Sequence, residues 1–285
     1  MASMRDIQRR RNSIASTQQI TKAMKLVSTV KLQKTKAKAE DSKPYFDHMY
    51  ATVTNMLARS GIVDHRYLRA GTSRKKGVIV ISSNRGLAGG YNSNVVKLIT
   101  QGELADSELL LYTIGRKGRE SLERKGYVTE ADYSDVINAP LYSDAAEISR
   151  KVLEDFENGE IGEIYLAYTS FKNTVVHEPK LLKLLPVEFT PDELSEKEKN
   201  TPMNYKPDEE EALDIIIPKY ITSLLYGALT EAVASENGAR MQAMDSATSN
   251  AEDMIESLGL QYNRARQGSI TQELTEIIAG AEAVE

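Results

Sequence analysis

No glycine occurs before Gly61, and Pro44 is the only proline before it. A stretch of that length with so few helix breakers is constrained to run as one long helix. Its apolar residues fall at Ile7, Ile14, Ile20, Met24, Val27 and Val30, and again at Met49, Val53 and Met56. Most gaps between them are helical, which gives one apolar stripe. Ala2-Ser3 supplies an N-cap, with Asp6 as a weak capping-box partner. The spacing predicts a helix from about 3 to 58, with a bend at Pro44.

The other end of the chain reads the same way. From about 209 to 285 the pattern is helical, with Met244, Ala251, Leu258 and Ala265 as one heptad position and Ala247 and Met254 as the intermediate one. Leu213, Ile217, Tyr220, Leu224 and Ala228 extend the spacing backwards, and Pro218 marks a start or a kink. At about 1.5 Å per residue such a helix spans on the order of 110 Å, more than a small domain can bury. A partner helix from the same chain can bury it. Both helices join the middle of the chain, so they must run antiparallel. Placing residue 58 opposite 211 sets residue 1 near 268 and leaves 269–285 without a partner. That overhang holds Ile270, Leu274, Ile277, Ile278 and Val284, and a lone helix this apolar is sticky in water. An apolar sleeve on another subunit is the expected environment.

Between the helices, the β-rich runs 77–81, 109–114 and 163–168 alternate with helical stretches near 92–104, 116–125 and 143–157. A weaker strand is expected near 129–133, and an antiparallel edge strand over 180–187. Strands alternating with helices imply a parallel, Rossmann-like sheet with crossover helices. The expected fold is therefore a central α/β domain, 61–208, inserted between two terminal helices, 1–60 and 209–285, that form an antiparallel coiled coil. A polar, Pro-marked loop covers 190–207.

Composition removes several classes. There is no Cys, which excludes disulfides, thiolate metal sites and thiol switching. No uninterrupted apolar run approaches the length of a membrane span. The Arg-rich start superficially resembles a transit peptide, but its apolar spacing continues into the helix. His48, His65 and His177 have no metal-like spacing and read as surface or loop residues. No Ser/His/Asp arrangement stands out. The net charge of −5 hides a basic arm: residues 1–40 carry ten Lys/Arg against Asp6 and Glu40. The stretch 192–214 carries nine acids. Nucleic acid, a membrane surface, an acidic protein or plain solvent could face the basic arm. It lacks the aromatic interleaving of single-strand binders. A nucleic-acid-binding coiled coil remains the alternative function and predicts steep salt dependence.

The loop Ser82-Ser83-Asn84-Arg85-Gly86-Leu87-Ala88-Gly89-Gly90-Tyr91-Asn92 follows a strand and opens a helix, where phosphate loops sit. Its glycines have neither G-x-G-x-x-G nor Walker spacing. A tight packing turn, a weak nucleotide site and a protein contact through Arg85 are its three readings. Asp208 to Glu211 complements a helix dipole better than it makes a metal site. Met24, Met241, Met244 and Met254 are adaptable packing residues on or near the seam.

Ile270-Thr271-Gln272-Glu273-Leu274-Thr275-Glu276-Ile277-Ile278-Ala279-Gly280-Ala281, preceded by Tyr262-Asn263-Arg264-Ala265-Arg266-Gln267, resembles the C-terminal signature of the gamma subunits of F-type ATP synthases. Gln19-Ile20-Thr21-Lys22-Ala23-Met24 and the Asn84–Asn92 loop are similar to the same family, in the same order. The resemblance implies a rotor shaft in a proton-translocating bacterial enzyme, present in one copy per complex and turning inside three alpha and three beta subunits. It implies no catalytic residue, cofactor or metal on this chain, and no nucleic acid. Partners would be alpha, beta, epsilon and the c ring, at the cytoplasmic face of the cell membrane, with no transmembrane segment. By position, Lys22, Met24 and Lys25 would meet an acidic beta lever, as would Arg85, Leu87 and Ala88. Arg240, Gln267, Thr271 and Glu273 would make the upper alpha/beta contacts, and Tyr205 would face epsilon or the c ring. Lys25 departs from relatives that carry an acid there.

Overall fold

The computed structural model describes residues 3–60, 65–105, 107–187 and 209–282. Tyr205, Val284 and the 190–207 loop lie outside them. Helix α1 runs Met4–Ser60 and passes through Pro44 without interruption. The Asp6 amide donates to Ser3 Oγ at 3.2 Å and Ser3 Oγ–H returns to the Asp6 carboxylate at 2.8 Å, which caps the first turn. The chain then forms β1 (Lys76–Ile81), α2 (Tyr91–Thr100), β2 (Leu109–Ile114), α3 (Arg116–Glu123), β3 (Val128–Asp132), α4 (Tyr142–Glu157), β4 (Glu163–Phe171) and β5 (His177–Leu185). Helix α5, Glu209–Glu282, closes the sequence and carries Pro218 inside it.

The sheet order is β3-β2-β1-β4-β5. β1, β2, β3 and β4 are parallel, and β5 is an antiparallel edge on β4. β1 and β2 pair from Lys76–Leu109 to Ile81–Ile114. The pleat sends alternate residues to opposite faces. Val78, Val80 and Leu111 pack with Val95, Ile99 and Leu122 of α2 and α3. Ile79, Ile81, Tyr112 and Leu166 pack with Ile148 and Val152 of α4 and with Leu213, Ile217, Leu225 and Leu229 of α5. Both faces are covered, as a parallel sheet requires.

The chain divides into two compact units. One comprises residues 1–28 and 241–285, and the other 29–240. The larger unit holds the sheet and the flanking parts of both long helices. In it, an apolar 18-residue window of the last helix, mean hydropathy 1.3, is long enough to cross a bilayer by length and composition. Half of that window is buried, and packing of Leu213 to Val233 against the sheet accounts for its apolarity.

In the smaller unit the helices are antiparallel. Thr21 Oγ1 lies 2.7 Å from Thr248 Oγ1, and Lys25 Nζ donates to Asp245 Oδ1 at 2.5 Å. Both links fall within one residue of the pairing that matches residue 1 with 268. Ile7, Thr21 and Ser28 are buried on one helix, and Met244, Ala251 and Leu258 on the other. Two expectations are corrected. Ile20 (58 %), Val27 (57 %) and Val30 (55 %) are exposed while Ile7 of the same stripe is buried, so the apolar stripe of α1 coincides with its seam only in part. Met254 is also exposed; the intermediate seam position falls one residue later, at Thr248, Ile255 and Tyr262. Small hydroxyl residues let two helices approach closely, so large side chains are displaced outward.

Candidate functional site

β1 feeds directly into the glycine loop, and the first loop residues cap a neighbouring helix. The amide of Arg116 donates to Asn84 Oδ1 at 3.0 Å, that of Lys117 to the Ser83 carbonyl at 2.9 Å, and that of Gly118 to Ser82 Oγ at 2.9 Å. These are the leading amides of α3, which have no partner within their own helix. An anion would seek the same donors, so a phosphate finds this helix end already occupied. Gly115 stands at φ +105°, and a Cβ there would meet the Ser82 carbonyl at 2.2 Å, so no other residue fits this turn. The rest of the loop is knitted internally. Ser83 N–H donates to Asn92 Oδ1 at 2.9 Å, and Asn84 Nδ2 donates to the Ser134 carbonyl at 2.7 Å.

In a sheet of this topology the ligand crevice opens at the carboxyl ends of the strands where the order reverses, here β1 and β4. α5 fills that place. Tyr91 Oη–H donates to the Ala232 carbonyl at 3.1 Å, and the Phe171 amide donates to Glu231 Oε2 at 3.3 Å. Burial, then the nearby Glu236 carboxylate, raises the Tyr91 phenol well above its ordinary value, so it stays protonated and donates. A Cβ on Gly238 would lie 2.4 Å from His177 Nε2, so the helix backbone sits directly on the His177 side chain at the start of β5. The nucleotide reading of the loop loses its crevice to this helix.

The loop tip faces outward. Arg85 and Leu87 are exposed, Leu87 by 64 %, while Ala88 is buried beneath them at 2 %. Leu87 holds φ +63°, a left-handed conformation that costs a leucine about 1 kcal/mol. Arg240 turns towards its own chain. Its guanidinium donates to Glu236 Oε1 at 2.7 Å and to the Gly86 carbonyl at 3.4 Å. Both partners of the ion pair are 13 % exposed.

In the smaller unit, Lys22 is exposed, Met24 half-buried, and Lys25 joined to Asp245. Gln267, Thr271 and Glu273 are exposed on α5. From Ile270 to Gly280 every residue is exposed, including Leu274 (55 %) and Ile277 (68 %). His65 lies in a loop, as one half of the expectation had it, but not at the surface. It is buried, its Nε2 lies 3.1 Å from Asp214, and its Nδ1 accepts the Tyr67 amide at 3.3 Å.

A family model described as ATP synthase matches residues 3–284. A chain of Lachnoclostridium phytofermentans named ATP synthase gamma chain is 66 % identical over 291 residues, covering 100 % of both chains. This chain belongs to the ATP synthase gamma chain family. A gamma chain from Alkaliphilus metalliredigens is 44 % identical, covering 99 % of this chain and 98 % of that one. A gamma chain of Acetobacterium woodii named sodium ion specific is 39 % identical, over 99 % and 98 %. In fold, this gamma-family chain is similar to one in a Euglena gracilis mitochondrial ATP synthase OSCP/F1/c-ring structure. That match has a TM-score of 0.72 at 18 % identity, over 99 % of this chain and 94 % of that one. A chain in a Tetrahymena thermophila mitochondrial central stalk/c-ring structure matches with TM-score 0.58 at 22 % identity, over 80 % and 99 %.

Ser82, Asn84, Tyr91 and Glu236 shape this gamma-family loop, and sequence reasoning did not single them out for that role. Ser82 and Asn84 are capping types, but the helix they cap begins 32 residues after Asn84, so no local pattern marked that role. Tyr91 and Glu236 carried no signal either, since their partners lie far along the chain or on an unmarked helix face.

Proposed function

We propose that this chain is the central-stalk rotor subunit of a bacterial ATP synthase, turning inside the alpha/beta hexamer and passing torque between it and the c ring. The observation that carries the reading is the exposed apolar end of α5, from Ile270 onward, which a free-standing protein would leave against water. A sleeve at the top of the hexamer is the environment that stabilises it. The chain acts by contact and performs no bond chemistry itself. Residues 1–60 and 209–285 work as the shaft, and 61–208 as the domain that meets epsilon and the c ring, with Tyr205 on that side. On the alpha/beta side, Lys22, Met24 and Lys25 meet the acidic lever of beta. Arg85 and Leu87 meet it from the glycine loop, with Ala88 packed beneath and Arg240 alongside. Gln267, Thr271 and Glu273 make the upper contacts. The complex holds one copy, peripheral on the cytoplasmic face of the cell membrane.

The test is reconstitution with alpha and beta subunits, following ATP hydrolysis and the mass of the product. Three alpha, three beta and one copy of this chain, with turnover that requires it, is the expected result. Deleting 272–285 should weaken assembly or turnover and leave the sheet intact. A truncated chain that also loses the folded sheet would count against an overhang acting outside the chain.

A further inference from the structure

We infer that Arg240 is a positioning residue that ties the tip of the glycine loop to α5, so that a push on Arg85 or Leu87 reaches the long helix without the loop yielding first. The tip is the weak point of this route. Arg85, Gly86 and Leu87 are exposed. Below the tip, Ser83 Oγ–H donates to the Arg85 carbonyl at 2.6 Å. From α5, the Arg240 guanidinium donates to the Gly86 carbonyl at 3.4 Å. Glu236, one turn earlier on the same helix, holds that guanidinium at 2.7 Å. One guanidinium nitrogen, Nη2, makes both bonds, and the length of the arginine side chain carries that nitrogen from α5 to the loop carbonyl.

Leu87 supports this assignment. A non-glycine residue at φ +63° persists only where its neighbours over-determine it. Here Ala88 is buried on one side and the Gly86 carbonyl is bonded on the other. One helical turn before Glu236, the bond from Tyr91 Oη–H to the Ala232 carbonyl fixes the far end of the loop to the same helix. α5 therefore holds the loop at its tip and at its far end, and at the tip the link is the hydrogen bond from an Arg240 guanidinium that Glu236 anchors on the helix.

The test is amide hydrogen exchange of the full chain, comparing loop amides 84–90 with β1 amides 78–81 as the internal reference. Arg240→Gln is expected to speed loop exchange roughly tenfold, with β1 unchanged. Arg240→Lys keeps the charge beside Glu236 but is too short to reach the Gly86 carbonyl as well, and is expected to give a smaller increase confined to the loop. Glu236→Gln should move the loop in the same direction. Unchanged loop exchange in both Arg240 variants would overturn the inference and leave Arg240 to act directly on another subunit. Should Arg240→Gln also speed β1, the lysine variant decides, by whether its effect stays in the loop. A second readout rests on the rotor reading: in the reconstituted complex, Arg240→Lys should lower the number of ions pumped per ATP hydrolysed. Retained pumping with a loosened loop would remove the loop from the torque route. Failure to assemble with alpha and beta would instead strike the rotor reading, and the exchange result would still judge the clamp.

Discussion

Ser82→Ala is expected to destabilise the central unit by about 2 kcal/mol, and the figure follows from what the hydroxyl does. Ser82 is fully buried. Its Oγ–H donates to the Gly115 carbonyl at 2.8 Å, and its oxygen accepts the Gly118 amide at 2.9 Å. Alanine strands the Gly118 N–H, a buried donor at a helix start, which costs about 1–3 kcal/mol. The Gly115 carbonyl keeps a second contact, a longer 3.5 Å bond from the Arg119 amide, so its loss is smaller. A water cannot easily replace the hydroxyl, because a Cβ on Gly118 would already meet Ser82 Oγ at 2.6 Å. The cost therefore resembles the loss of a strong N-cap, about 2 kcal/mol. Urea unfolding monitored by exchange of β1 and α3 amides measures it. A lower midpoint with unchanged slope is the expected signature. A change under about 0.5 kcal/mol would refute the reasoning, because the buried amide would then have found another partner.

The Lys25–Asp245 pair, with side chains 38 % and 60 % exposed, should show a coupling of no more than about 1 kcal/mol in a double-mutant cycle, weakened further by salt. A coupling above about 2 kcal/mol would mean the pair is shielded from water. Burial lowers the His177 pKa, so the folded state resists a proton that the unfolded state accepts. Stability should be full above about pH 6.5, fall as the pH drops through the folded value, and level off below it. His177→Gln should flatten that segment of the pH profile, and a profile identical to the parent's would exclude His177 as its source.

Much of the fold is legible in the sequence because it rests on local periodicity. The glycine-free start gave α1 its extent, the β-rich runs gave the parallel strands, and residue counting alone placed Thr21 opposite Thr248. The faces of the long helices were not legible in the same way. Ile20 and Val27 mark an apolar stripe by spacing, yet the helix pair closes on Thr21 and Ser28. Hydrophobicity ranks side chains by their cost in water, whereas a close helix contact selects for small size, and the two criteria agree at Ile7 but part at Thr21 and Ser28. The filled crevice was hidden for another reason. The bond from Tyr91 to Ala232 spans 141 residues, and no local pattern announces it. The weak nucleotide reading of the glycine loop therefore stayed among its three readings, while α5 had already taken the space.

That helix has a mechanical consequence. The segment of α5 that fills the crevice also supplies Leu225, Leu229 and Ala232 to the core of the central domain. Helix and sheet share one hydrophobic interior rather than meeting at a sliding surface. To twist this segment against the sheet would require melting that interior, at a cost comparable to unfolding the domain. The coupling between them has no clutch, and overload must be released somewhere else in the chain.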